Sequence, residues 1–239
     1  MTSENPNPLL PVTMNWNCLI RTGSIAALVI VALIPVQILI FVLFPPPEST
    51  LGFFELFRNN PFLGLLSLDL LYIFSNSILI LFYLGLAAAL RRTDPAILLI
   101  AVVLGIIGIT AYYTSGIAFD MLSLSKHYYA AESPALQLQW LGAGHAALAR
   151  YTGTAFNVYY ILNAVALLLL IAVMFRDKTF SRGTAVWGFL AGLFMLVPST
   201  AGTLGLVFSL LSLIPWTVFS LLAAKTLFVV SRDGTKAFS

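Results

Sequence analysis

Apolar runs of membrane-spanning length recur from residue 19 to residue 230 of this 239-residue chain. A helix that crosses about 30 Å of hydrocarbon needs roughly 20 predominantly apolar residues. Residues 20–44, 62–90, 95–123, 153–175, 183–202 and 205–230 each meet that requirement. Backbone N–H and C=O groups find no partner in lipid, so a spanning segment is either a helix or part of a closed barrel, and these runs are too long and uninterrupted for barrel strands. The expected fold is all-α: a polytopic integral membrane protein, a bundle of six transmembrane helices forming one membrane domain over residues 1–239. A polar N-terminus covers residues 1–19, and the last two spans join through a tight turn near "STAGTLG".

Charge sets the orientation. Only 9% of the residues are charged, against roughly 25% in a soluble domain. The net charge of +3 does not point to nucleic acid, because the longest basic run is Arg91-Arg92 and the cations sit at the ends of apolar runs. With both termini on one side, nine of the twelve Lys and Arg residues share that side, and Arg58, Lys126 and Arg150 remain on the other. The excess predicts cytoplasmic termini in a multi-pass protein of the cell membrane. The first run ends in Pro45-Pro46-Pro47 instead of a small-x-small site, so it is expected to be a retained helix. Cys18 is the only cysteine. A small buried hydrophobe is its expected role, with palmitoylation as the alternative.

The two longer connections, 45–61 and 122–153, fall outside on this topology. They carry Phe53, Phe54, Leu56 and Phe57, and Tyr128, Tyr129, Trp140 and Tyr151. Such half-apolar aromatic segments read as helices lying at the interface, or as a lid over the bundle. Pro35, Pro198 and Pro215 lie within or at the ends of spans, where a missing N–H bends a helix.

Inside the spans, polar groups are costly, about 2.5–3.5 kcal/mol for a central carboxylate on the insertion scale. They are not scattered. Asp69, Tyr72, Asn76 and Tyr83 fall within about 60° of one another on a helix. Tyr113, Gly116 and Asp120 repeat the spacing in the third span, and Asn157, Tyr160 and Ala164 in the fourth, with Tyr159 and Asn163 beside them. "DLLYI" at 69–73 also aligns with "NVYYI" at 157–161, pairing Asp69 with Asn157. Asp69, Tyr72, Asn76, Tyr113, Asp120, Asn157, Tyr160 and Asn163 are therefore the candidate ligand-binding residues, facing one another across an outward-open polar pocket. The competing reading makes the same groups glue between helices, worth on the order of 0.6 kcal/mol each.

Other chemistries find less support. His127 and His145 are the only histidines and lack a metal-binding helical spacing, so no metal and no cofactor is expected. There is no serine-nucleophile elbow and no phosphate-binding glycine loop. The inner halves of the spans are apolar, which leaves no continuous path for an ion.

"DLLYIFSNSILILFYLGLAAALRR", "YTGTAFNVYYILNAVALLLL" and "GLFMLVPSTAGTLGLVFSLLSLIPWTVF" together resemble a family of small six-helix bacterial membrane proteins that carries only a domain of unknown function. That resemblance implies a bacterial inner-membrane protein and no particular activity. The size and terminal orientation are also similar to the six-helix substrate-binding subunits of energy-coupling vitamin transporters. The leading expectation is binding or passage of a small or amphipathic molecule at the outward pocket. The alternatives are a membrane-embedded hydrolase or transferase acting on lipid or envelope substrates, with His127 or His145 beside a carboxylate, and a structural or regulatory subunit of a membrane complex. The expected partners are the lipid bilayer, a small-molecule or lipid ligand and a membrane-protein partner, not nucleic acid.

Overall fold

The structure is a computed structural model that describes residues 16–236, with side chains as far as Arg232. The polar stretch predicted at 1–19 lies outside the described residues up to residue 15, and so does the side chain of Lys236. The fold is all-α, with no strand among the described residues. In chain order the helices are α1 (Trp16–Leu43), α2 (Thr50–Asn59), α3 (Pro61–Ser67), α4 (Leu70–Leu90), α5 (Pro95–Ser115), α6 (Ala118–Ala130), α7 (Pro134–Tyr151), α8 (Thr154–Arg176), α9 (Arg182–Phe194) and α10 (Gly202–Lys236).

Local sequence explains where several of these begin. Asn60-Pro61, Asp94-Pro95 and Ser133-Pro134 each place a capping side chain before a proline that needs no N–H in a first turn. The caps accept from Leu63 N at 3.0 Å, Ile97 N at 3.2 Å and Leu136 N at 3.3 Å. Each is worth about 0.5–2 kcal/mol. Between α9 and α10 the chain passes Pro198 in non-helical turns, and Gly202 at φ +60° takes a left-handed conformation that suits glycine.

Five helical stretches among the described residues are long and apolar enough to cross a membrane: Trp16–Leu43, Leu70–Leu90, Pro95–Ala130, Pro134–Arg176 and Gly202–Arg232. The run expected at 183–202 forms α9 and the turns after it. At 13 residues, α9 spans about 20 Å, less than the hydrocarbon thickness. The runs expected as single spans at 62–90 and 95–123 are each divided, by turns at Leu68-Asp69 and Gly116-Ile117.

The long helices close a ring. α1 packs on α4 and α10, α4 on α5, α5 on α8, α8 on α9, and α9 on α10. Phe82, Leu86, Leu170, Ile171, Phe219 and Leu227 fill it. The backbones of α1 and α4 approach closely at Gly23 and Gly85, where a Cβ on either would stand 2.6 Å from the other's Cα. Ser24 donates to the Ala224 carbonyl at 2.8 Å and ties α1 to α10. The core lies toward the end that carries Trp16: α1 buries six residues between Ile20 and Ile30 and none from Val31 to Phe44. Cys18 is on the exposed face of α1, not in the core where it was expected. At this same end Arg176 pairs with Asp94 at 3.1 Å. Asp177 accepts from the hydroxyl of Thr93 and from Thr179 N, the latter at 2.6 Å.

The segments expected at the interface form a second core at the other end. Phe53, Phe54 and Phe57 line one face of α2 and pack with Leu68, Ile117, Ala118 and Met121. Ser125 donates to the Phe54 carbonyl at 2.9 Å, and Gly144 of α7 leaves room for Thr50 and Phe54. α2, α6 and α7 thus pack on one another, while α3 and α7 adjoin α4 and α8. The result is a helical cap on the ring.

Two predictions follow from these contacts. Gly85→Ala meets backbone, which cannot rotate away, so it is expected to cost about 1–3 kcal/mol and to lower the melting temperature in detergent. At Asp177, partial burial works against the charge, but the hydrogen bonds from Thr179 and Thr93 outweigh it and hold the carboxyl below its ordinary value. A depressed carboxyl stabilises the fold above the unfolded pKa of about 4, and that contribution is lost as the pH falls below it. Asp177→Asn is expected to lower the melting temperature at pH 7 and to differ less from the parent protein at pH 3.

Candidate functional site

The two divided spans meet at one carboxylate. Asp69 sits in the turn between α3 and α4, is fully buried, and does not cap its own helix. Its Oδ2 accepts from Ala118 N at 2.8 Å and, at shorter range, from Ile117 N. Tyr112 donates to Oδ1 at 3.4 Å. Ile117 occupies the N-cap position of α6, where an isoleucine side chain has nothing to offer the free N–H groups of a first turn. Asp69 supplies that cap from another helix, and its carboxyl oxygens face the positive end of the α6 dipole. Gly116 lets it approach, since a Cβ there would stand 3.3 Å from Oδ2. Tyr151 completes the surround and reaches the Leu68 carbonyl at 3.5 Å.

Asn157 is engaged locally: its Nδ2 donates to the Gly153 carbonyl at 3.2 Å and its Oδ1 accepts from Thr200, so it fastens α8 to the turn before α10. The break at Gly116-Ile117 starts a new helix, and Asp120 lies in its first turn, half-exposed and paired with Arg150. Tyr113 shares a hydrogen bond of 2.8 Å with Ser77 on the exposed side of α5. The buried tyrosine is its neighbour Tyr112, which sequence reasoning passed over.

The remaining candidates gather around an aromatic cluster. Tyr112 lies 4.9 Å from Tyr159 and 6.0 Å from Tyr72 between ring centroids. Tyr160 stacks on Phe156 at 5.9 Å. Asn76 accepts from the Tyr159 hydroxyl at 3.1 Å, and Asn163 donates to the Tyr159 carbonyl at 3.0 Å. Tyr83 packs over Gly105, which is why no side chain fits there. Asn76 Nδ2 and Asn163 Oδ1 are buried without a hydrogen-bond partner.

Room for another molecule lies in the cap. A cleft of about 470 Å³ runs between α6 and α7, lined by Asp120, Ser123, Leu124, Ala143, Ala146, Ala147 and Arg150. The alanines at 143, 146 and 147 share one face of α7, and their small side chains open the wall. Asp120 and Arg150 retain 54% and 53% of their side-chain exposure. A second hollow of about 490 Å³ is lined by Leu51, Glu55, Arg58, Asn59, Tyr128 and Tyr129, with the guanidinium carbon of Arg58 4.4 Å from the Tyr129 ring centre.

The histidines are engaged separately. His127 donates from Nδ1 to the Ser123 carbonyl at 2.8 Å and stacks on Trp140, while His145 bonds the Thr50 hydroxyl at 2.8 Å. No cluster of three metal-ligating side chains occurs among the described residues. Comparison with protein-family models, with curated proteins and with solved structures found no match to the chain.

Replacing Asp69 tests that cap. Asp69→Ala strands two buried N–H groups, at about 1–3 kcal/mol each. Asp69→Asn keeps a carbonyl oxygen for both and is expected to cost less than the alanine variant. The expected order of melting temperature is parent, Asn, Ala. Amide exchange at Ile117 and Ala118 should accelerate in the alanine variant, and unchanged exchange there would contradict the cap.

Proposed function

We propose that this chain is a six-pass protein of the cell membrane, with cytoplasmic termini, that binds a small amphipathic molecule in the cleft between α6 and α7 on the extracytoplasmic side. α9, with the turns that follow it, serves as the shortest of the six passes. The nine-to-three distribution of Lys and Arg supports the orientation, because it sets the basic residues at the end of the ring that carries Trp16. The resemblance to small six-helix bacterial membrane proteins fits the same architecture.

One observation carries the binding reading: a hollow of about 470 Å³ that joins an ion pair to an apolar wall of alanines and Leu124. Ligand sites characteristically combine an apolar concavity with a few polar groups that orient the guest. By contrast, between α4, α5 and α8 the rings of Tyr112 and Tyr159 pack together, Tyr159 bonds Asn76 and Tyr112 bonds Asp69, which favours fixation of the bundle there. The ligand reading therefore moves from the ring to its cap, retaining Asp120 and adding Arg150. Tyr128, Tyr129, Trp140 and Tyr151 in α6 and α7 suit the headgroup level of a bilayer.

Filling the cleft tests this directly. Ala146→Trp is expected to remove a lipid or other amphipath that co-purifies with the parent protein, as read by native mass spectrometry, without lowering the melting temperature by more than a few degrees. Undiminished co-purification in that variant would refute the assignment.

A further inference from the structure

We infer that the α6–α7 cleft is built for a zwitterion, an ammonium joined to a phosphate, as in the headgroup of phosphatidylethanolamine. The inference rests on the ligand-binding reading of the cleft and names the chemistry of its guest. Asp120 and Arg150 face the same hollow and bond each other across it. The pair is electroneutral, so a guest of one sign would compensate one partner while opposing the other. A zwitterion exchanges one internal pair for two external ones, with its phosphate on Arg150 and its ammonium on Asp120. Arg150 can take a phosphate through two parallel N–H groups, which adds direction to the attraction.

Two features make that exchange inexpensive. Asp120 lies in the first turn of α6 and Arg150 in the last turn of α7, so each charge keeps the favourable end of a helix dipole when the pair opens. Both side chains are already half-exposed, so neither has to be brought out of a desolvated site. Asp69 already holds two of the first N–H groups of α6, those of Ile117 and Ala118, from inside the protein, and Arg150 is the cation of the cleft lining. Leu124 and the alanines of α7 leave an apolar wall beside the charges, suited to the glycerol and first methylenes of a lipid.

Full-length protein in detergent micelles, titrated with short-chain phosphatidylethanolamine, phosphatidylglycerol and diacylglycerol of the same chains and read by native mass spectrometry, tests the inference. The zwitterionic lipid is expected to bind about threefold or more tightly than the other two. Asp120→Asn should bring phosphatidylglycerol level with it, and Arg150→Gln should weaken both phospholipids. Added phosphoethanolamine separates the sources: displacement of the lipid, sensitive to Asp120→Asn, assigns recognition to the headgroup alone, and lack of displacement assigns it to the intact lipid. Equal binding of all three lipids, blocked by Ala146→Trp but indifferent to Asp120→Asn and Arg150→Gln, would overturn the zwitterion and leave the cleft standing. Binding indifferent to Ala146→Trp would overturn both.

Discussion

The arrangement turns on a carboxylate that caps a helix other than its own. Two apolar runs, each long enough to be one straight helix, instead break at Leu68-Asp69 and at Gly116-Ile117. Each break frees backbone groups in a place where water does not reach, and a free buried N–H costs about 1–3 kcal/mol. Asp69 links the two. It occupies one break and accepts the orphan N–H groups of the other. The turn that releases α3 from α4 and the turn that releases α6 from α5 are thereby locked together, and the cap of α2, α3, α6 and α7 is held in one position on the ring. A carboxylate is well suited to this task, since the helix end it closes carries roughly half a positive charge.

Much of this was readable before any coordinate. The long helices follow from run length, and three helix starts follow from a capping residue and proline. The half-apolar character of 45–61 and 122–153 announced amphipathic helices. The two breaks were not legible, because neither contains a proline and leucine-rich sequence continues through them. The role of Asp69 was legible only in outline: a polar group in an apolar run needs a partner, but this partner is a backbone N–H 48 residues away and carries no side-chain signature. The match between "DLLYI" and "NVYYI" paired Asp69 with Asn157, yet helix-face spacing says nothing about which neighbour a face meets. α8 packs chiefly on α5, and its direct bond to the α4 stripe runs from Tyr159 to Asn76, while Asn157 bonds Thr200. Arg150 registered only as a charge for orientation, since its place opposite Asp120 depends on how α6 and α7 fold back on each other.

The polar residues of the ring follow a common logic. A membrane interior penalises an unbonded polar atom by more than a hydrogen bond between helices gains, so the groups that persist there are coupled to neighbours. Tyr159 illustrates it: its hydroxyl goes to Asn76 of α4, and its carbonyl receives Asn163 one turn along its own helix. Gly105 and Gly108 of α5 then allow close packing against Tyr83 and Asn163. Polarity here fixes the mutual position of α4, α5 and α8 more than it offers a surface to a guest.

That division of labour places the accessible chemistry at the boundary. Among the described residues, two pairs of unlike charges lie in the cap and the turns at the opposite end: Asp120 with Arg150, and Asp94 with Arg176. They differ in what surrounds them. Asp94 also caps α5, accepting from Ile97 N, so opening its pair would disturb a helix start. Asp120 accepts from no backbone group in the first turn of α6, because Asp69 has taken that role, and the wall beside it is lined by alanines instead of interlocking side chains. The buried carboxylate thus does more than hold the cap in place. By closing the end of α6 from within, it leaves the half-exposed carboxylate three residues along free to interact across the cleft.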